Sequence, residues 1–279
     1  MTRPATAIRA AIILVAALLA IAVQPAAAQR ALIDAHVHYS HDAWDMLPPD
    51  KAVAVLREAG LRRAFVSSSS DDGTQMLYRL APDLVVPVLR PYRKRGETGT
   101  WFLDDSVPAM LEARIAANRY AGIGEFHVFG ADADRPVMQR VIALAREHRL
   151  FLHAHSDDEA VRRIFARDPE ARVLWAHSGF ADPATVRAML ERYATLWCDL
   201  AFRSEQASDG KVAPQWRALF EDFPERFMLG TDTYTPERWF YVVEHARWSR
   251  GWLDDLPDDL AENIAWRNAE RLADWALKK

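Results

Sequence analysis

His36 and His38, one residue apart in Asp34-Ala-His36-Val-His38, close the first apolar run beyond residue 28. In an extended strand residues i and i+2 point to the same side, so both imidazoles can grip one ion. One His-x-His by itself says little, because a histidine on a strand is usually an ordinary polar residue with its hydrogen bonds satisfied. Later apolar runs, however, end alike. Ala121-Gly-Ile leads into Gly124-Glu125, Leu150-Phe-Leu into His153-Ala-His155, Val173-Leu-Trp-Ala into His177-Ser-Gly, and Met228-Leu-Gly-Thr231 into Asp232. Imidazoles and carboxylates at successive strand ends are the donor set of a metal-dependent enzyme. Such donors favour zinc, manganese or iron over calcium or magnesium, and thiolate is absent from the set.

The elements that must hold these residues alternate along the chain. Strand-like runs fall near Leu32–His38, Ala64–Ser68, Leu84–Leu89, Gly122–Val128, Leu150–His155, Val173–His177, Leu196–Leu200 and Phe227–Thr231. Between them lie stretches of helical periodicity with recognisable ends. Pro48-Pro49-Asp50 opens Lys51–Ala59, Asp105-Ser106 and Pro108 open Met110–Arg119, and Pro136–Glu147 carries an apolar stripe. Asp157–Ala166, Pro183–Tyr193, Pro214–Glu221 and Asp258–Leu277 follow. Eight strand-then-helix units in roughly 250 residues imply an α/β fold, a single-domain (β/α)8 TIM barrel with its site at the C-terminal ends of the strands. An open doubly wound sheet is the alternative, but no Gly-x-Gly-x-x-Gly follows the first run. Pro91–Asp104 and Thr233–Asp255 exceed a minimal connection and are expected over the barrel mouth.

The first 28 residues read differently. Arg3 and Arg9 precede an uncharged apolar run, Ala10–Val23, and Ala26-Ala27-Ala28 then offers a cleavage site before Gln29. That run falls short of the ~20 residues needed to span a bilayer, so a cleaved signal peptide is expected rather than a stable membrane anchor. The remaining residues, 29–279, would be periplasmic or secreted and carry a net charge of −6. Acidity argues against a nucleic-acid partner. Cys198 is the sole cysteine, so no internal disulfide can form, and its apolar surroundings suit a buried bystander. Half the residues are hydrophobic and ten are Trp, enough for a sizeable core.

Taken in order, these strand ends resemble the amidohydrolase superfamily. Its barrels carry His-x-His on the first strand, a carboxylate on the fourth, histidines on the fifth and sixth and an aspartate on the eighth. Gly122-Ile-Gly-Glu125 is similar to the fourth-strand motif of TatD-like deoxyribonucleases, and Ala265-Trp-Arg-Asn268-Ala269-Glu270-Arg271-Leu272 resembles the C-terminal helix of the amidohydrolase-related branch. The resemblance implies that His36, His38 and Asp232 hold a first divalent ion, most readily zinc. Glu125 would bridge to a second, completed by His177 and a fifth-strand histidine; the superfamily bridges with a carboxylated Lys or a Glu, and no Lys stands here. Without Glu125 as ligand, one ion remains and His177 becomes an electrostatic or base-orienting group. Related sequences place the fifth-strand ligand three or four residues before the helix, which favours His153, with His155 nearer the mouth as the alternative.

In such sites Asp232 also takes the proton of the attacking water, alongside His177 as the second catalytic residue. No organic cofactor is called for. Arg90, His127, Arg203 and Tyr234 lie at or just past strand ends and are the expected substrate contacts. Arg90 or Arg203 could clamp a carboxylate with its bidentate fork, or serve as a rim salt bridge. Asp199 is expected behind the ligands. The reaction expected is hydrolysis of an amide, lactone or ester in a small molecule, by a chain compatible with a homodimer. Two relatives offer alternatives: decarboxylases of aromatic acids, which lack a ligating fourth-strand Glu, and TatD-like nucleases, which acidity disfavours. A barrel that only binds metal would need no general base.

Overall fold

The computed structural model describes residues 29–278. The runs rich in Val, Ile, Leu and Phe form β1 (Leu32–Val37), β2 (Leu61–Val66), β3 (Val85–Leu89), β4 (Gly122–His127), β5 (Phe151–His155), β6 (Val173–Trp175), β7 (Leu196–Asp199) and β8 (Phe227–Met228). Near-continuous apolar strands suit a parallel sheet buried on both faces. All eight pair in parallel and in chain order. The ring closes where the Ala35 N–H donates to the Leu229 carbonyl at 2.8 Å and the Asp232 N–H to the His36 carbonyl at 2.7 Å. This is the expected single-domain (β/α)8 TIM barrel.

A buried carboxylate reinforces the closure. Asp34 accepts from the His36 N–H at 3.0 Å, the Thr231 N–H at 3.1 Å and the Thr231 hydroxyl at 2.6 Å, tying β1 to the segment after β8. Nothing in the alternation of residues singles out that role for Asp34. Beneath it, Ile33, Phe65, Val86, Phe151 and Met228 form a plug against Leu272, Ala273 and Ala276 of the C-terminal helix Asn268–Leu277.

The helices fall where periodicity places them, with small shifts at their ends, such as Ser106–Ala117 and Pro136–His148. Two differ. Asp72–Leu80 is a helix where none was expected, because its Asp-Gly-Thr opening hides the stripe that Leu77 buries. Thr233–Asp255 is mostly ordered, with a 3-10 turn at Pro236–Tyr241 and a helix at Val242–Leu253. Pro91–Asp104 does lie across the mouth as an irregular segment ending in the short turn Trp101–Leu103. Among the described residues no helix is long and apolar enough to cross a membrane. The expected signal peptide, residues 1–28, lies outside the described residues.

Candidate metal centre

Departures from regular strand geometry aim the key side chains. The β1–β2 register is irregular between Asp34 and Val37, the stretch that carries His36. On β4 the register steps from Gly124, opposite His153, to Phe126, opposite Ala154, leaving Glu125 as an extra residue. Such a bulge re-aims a side chain. Gly124 permits it, since at φ 137° a Cβ there would lie 2.2 Å from the His153 carbonyl oxygen. β6 stops early because His177, Ser178, Gly179 and Phe180 all adopt left-handed backbone, φ 50–67°. A Cβ on Gly179 would strike the Trp175 ring at 2.0 Å. Asp232 is left-handed too, at φ 53°. For non-glycine residues such conformations cost of order 1–3 kcal/mol each and cluster at working sites.

The result is a knot of facing donors. His36 Nε2 and His38 Nε2 are 3.1 Å apart. Asp232 Oδ1 lies 3.2 Å from His38 Nε2 and 3.7 Å from His36 Nε2. Glu125 sits among all four imidazoles: Oε2 is 3.2 Å from His38 Nε2, while Oε1 is 2.7 Å from His155 Nδ1 and 3.5 Å from both His36 Nε2 and His177 Nε2. All but His155 are buried.

Hydrogen bonds behind the rings set their tautomers. His38 Nδ1 donates to the Ser67 carbonyl at 2.6 Å and His177 Nδ1 to the Ala201 carbonyl at 2.9 Å. A carbonyl can only accept, so in the neutral ring each Nε2 turns a lone pair inward. His36 Nδ1 faces Asp199 Oδ2 at 3.1 Å. Asp199 is saturated, because Oδ2 also meets His153 Nε2 at 2.9 Å and Oδ1 accepts from the His177 and Ala201 N–H groups. It orients the histidines and has no lone pair left for an ion.

Charge tells the same story. Burial opposes ionisation of Asp232, yet His36 and His38 hold its carboxyl down to about 2. Burial likewise opposes charge on Glu125, but His36, His127 and His155 hold it well below the ordinary range. His36 is pushed the other way: against the effect of burial, Asp232, Asp199 and Glu125 raise it well above its usual value. The buried Asp232 Oδ1 has no hydrogen-bond donor despite its imidazole neighbours. Lone pairs of His38, His177 and Asp232 therefore converge in an anionic pocket that draws a proton onto His36, a charge that a divalent cation can replace. The donor set fits such an ion.

Some expected residues sit elsewhere. His153, favoured over His155, lies one pleat pair deeper, about 6.6 Å along the strand. Its Nε2 is held by Asp199, and burial together with His36 pushes it down to about 4. His155 instead borders the cavity and faces Glu125. Arg203, expected as a substrate contact, does not border the cavity: its guanidinium bonds the Ala181 carbonyl at 2.7 Å and the Glu205 carboxylate, bracing the left-handed turn. Arg90 does line the cavity, but it donates to Glu125, through Oε2 at 2.8 Å and the backbone oxygen at 3.2 Å. Tyr234 and His127 border the same cavity. Burial pushes His127 down to about 3.

The cavity holds about 510 Å³. One side is aromatic, formed by Phe180, Phe202 and Tyr234, exposed by 55%, 40% and 54%. Phe180 stacks on His177 at 4.5 Å, and Phe202 lies tilted against Tyr234 at 5.7 Å. Phe180 and Phe202 escaped the sequence reading. Their signal was position, since Phe180 follows the donor His177 by three residues and Phe202 follows Asp199, behind the donors, by the same step.

A family model described as Amidohydrolase matches residues 33–274, nearly all of the barrel. The chain belongs to the amidohydrolase family. As an amidohydrolase it is a hydrolase of that superfamily, whose members use divalent metals. Among solved structures it is similar to an uncharacterised TIM-barrel protein from Bordetella bronchiseptica, at 14% identity over 88% of this chain and 99% of that one, TM-score 0.63. A probable 2-pyrone-4,6-dicarboxylic acid hydrolase from Acinetobacter baumannii follows at 12%, 87% and 98%, TM-score 0.54. A β-aspartyl dipeptidase from Fervidobacterium islandicum stands at 16%, 86% and 72%, TM-score 0.54. At these identities the likeness is one of fold. No curated protein matches the amidohydrolase chain.

Proposed function

We propose that this amidohydrolase is an exported enzyme that hydrolyses an amide, lactone or ester of a small molecule at a binuclear centre, with zinc the best-suited metal. The ligands in this reading are His36, His38 and Asp232 on one side, His155 and His177 on the other, and Glu125 between them. The observation that carries it is the Glu125 carboxylate, which lies within 3.5 Å of all four imidazoles, with Oε2 nearest His38 and Oε1 nearest His155. When bound, divalent ions lower the pKa of the water they hold towards ~7 and polarise the carbonyl oxygen of the substrate.

The rest falls to the chain itself. Asp232, held ionised and with Oδ1 short of a donor, accepts the proton that the attacking water loses. Arg90 keeps Glu125 in place from both its side-chain and backbone oxygens. Ser67 and Ala201 keep the Nε2 lone pairs of His38 and His177 turned inward. Phe180, Phe202 and Tyr234 exclude water on one side and offer a surface for the apolar part of a substrate. A cavity of about 510 Å³ suits a small molecule better than a nucleic-acid strand. Glu125 between the two histidine sets also weighs against the decarboxylase alternative.

Metal content per chain tests the reading, measured by elemental mass spectrometry on protein purified without chelator. Close to two ions are expected, falling towards one in Glu125→Gln. One ion, unchanged in Glu125→Gln, would shift the assignment to a mononuclear enzyme. No metal after reconstitution would sink it. N-terminal sequencing of the protein recovered from the producing cell's exterior or periplasm tests export, with Gln29 expected first.

A further inference from the structure

Two residues of the cavity wall are joined in a way that the metal centre does not require. Tyr92, 2% exposed, receives the His127 backbone N–H on its hydroxyl oxygen at 2.6 Å. The same oxygen lies 2.8 Å from His127 Nδ1. A phenol has one proton to give, and with an N–H already pointing at its oxygen, Nδ1 is the acceptor within reach. Nδ1 therefore carries a lone pair, and the ring proton must reside on Nε2. The ring cannot readily turn to change this. It stacks on His155 at 4.0 Å with 25° between planes, and the Trp101 indole N–H holds the His127 carbonyl at 2.8 Å.

The outward edge is free. Among the described residues His127 Nε2 has no hydrogen-bond partner, and it is not among the atoms buried without one. His127 borders the cavity beside Glu125 and His155. Its Nδ1 is already engaged by Tyr92, so a third ion held through that atom by Glu125, His127 and His155 is excluded. The free Nε2–H is thus a fixed dipole on a residue of the cavity wall.

We propose that His127 is a catalytic residue, a neutral imidazole that donates its Nε2–H to the substrate oxygen on which negative charge grows, and that Tyr92 is the positioning residue that pins this tautomer. A hydrogen bond forms and no proton is transferred. A preorganised donor of this kind acts only as charge develops, so it raises kcat more than it lowers KM. The role rests on the hydrolase reading above, whereas the pinned tautomer does not.

The test has two arms on the zinc-loaded full chain. Long-range proton–nitrogen NMR on protein labelled with ¹⁵N-histidine reads the tautomer of each ring. One Nε2–H signal set should vanish in His127→Gln, and in Tyr92→Phe it should redistribute towards the Nδ1–H form. An Nδ1–H tautomer in the unaltered protein, or no change in Tyr92→Phe, overturns the proposal. The kinetic arm uses p-nitrophenyl acetate and dihydrocoumarin as probes. His127→Ala should lower kcat by about 10²–10³-fold with KM and zinc content nearly unchanged. His127→Gln, which retains an amide N–H, should recover part of that loss. Loss of zinc in His127→Ala would make His127 a ligand, and an unchanged kcat would make it inert; either overturns the proposal. Should the unaltered protein cleave no ester, lactone or amide, the hydrolase reading fails, and the NMR arm still upholds or overturns the pinned donor.

Discussion

At the floor of the barrel, Phe65 and Phe151 stack at 5.5 Å over a plug that the C-terminal helix seals with Leu272, Ala273 and Ala276. At the mouth, the same strands end in carboxylates and imidazoles that face one another across 3–4 Å. Backbone geometry divides likewise. Of the seven non-glycine residues with left-handed backbone among those described, His177, Ser178, Phe180, Phe202 and Asp232 belong to the mouth. Large apolar side chains are buried at the floor and left bare around the mouth. The floor is where apolar burial stabilises the fold, and the mouth holds strain and unmatched lone pairs that only a ligand resolves. A barrel can carry such a mouth because its strands are anchored from below.

The sharpest way to break this contrast is Asp232→Asn. If the mouth is built for chemistry, kcat should fall by about 10²–10⁴-fold. Tm should fall only slightly, because the amide keeps the shape of the side chain and loses only the attraction of His36 and His38 for its charge. Metal content must be followed in parallel; activity lost with metal retained separates chemistry from binding. A large fall in Tm would mean that the mouth is structural after all.

Leu272→Ala should do the reverse. The side chain is 2% exposed within the plug, and truncating a buried leucine costs about 2–5 kcal/mol. Chemical denaturation should show that loss, while kcat per folded molecule stays put. A matching fall in kcat would couple the two ends and remove the contrast.

How much of this contrast could be read from the chain alone follows from what each signal depends on. Apolar runs and their order depend on local pattern, so the eight strands and the barrel were legible. Strand ends were legible for the same reason, which is why His36, His38, Glu125, His177 and Asp232 could be named together. Depth within the barrel was not. His153 and His155 share one side of β5, and only strand tilt and stagger decide which reaches the cavity. Nor does a position past a strand end say where a long side chain turns. Arg203 turns back to brace the Ala181 carbonyl, whereas Arg90 reaches Glu125. The bareness of Phe180 and Phe202 is a property of the assembled loops, with no trace in local periodicity.

Asp71 sharpens the comparison, since it is a buried carboxylate away from the metal ligands. Burial raises its pKa to about 6, although the Tyr120 hydroxyl and Arg114 oppose the rise. The folded-state value is above the unfolded value, so ionisation works against the fold. Stability linked to Asp71 is full below about pH 4 and is lost as pH rises through about 6. At ~1.4 kcal/mol per unit the loss is at most about 3 kcal/mol. Asp71→Asn should flatten that slope in a series of denaturation curves between pH 4 and 7. An unchanged slope would show that its ionisation does not govern stability there.

The smallest effect concerns the outer edge of the floor. Arg172 lies over the Trp275 ring at 4.4 Å and the Trp197 ring at 5.5 Å, and Arg149 and Arg226 sit over the same two rings. Burial and these two cations lower its pKa, so stacking and repulsion compete. A cation–π contact contributes about 0.5–1 kcal/mol at a part-exposed site, whereas repulsion between solvated guanidinium groups is largely screened near 0.15 M salt. Stacking should therefore win, and Arg172→Ala should lower stability by roughly 1 kcal/mol with kcat unchanged. Salt gives the decomposition: from 0.05 to 0.5 M the unaltered protein should gain on Arg172→Ala, because salt screens the repulsion and leaves the stacking. If the variant is the more stable at every salt concentration, repulsion governs this edge. The floor would then hold strained charge as the mouth does, and the division between the two ends would stop at the apolar plug.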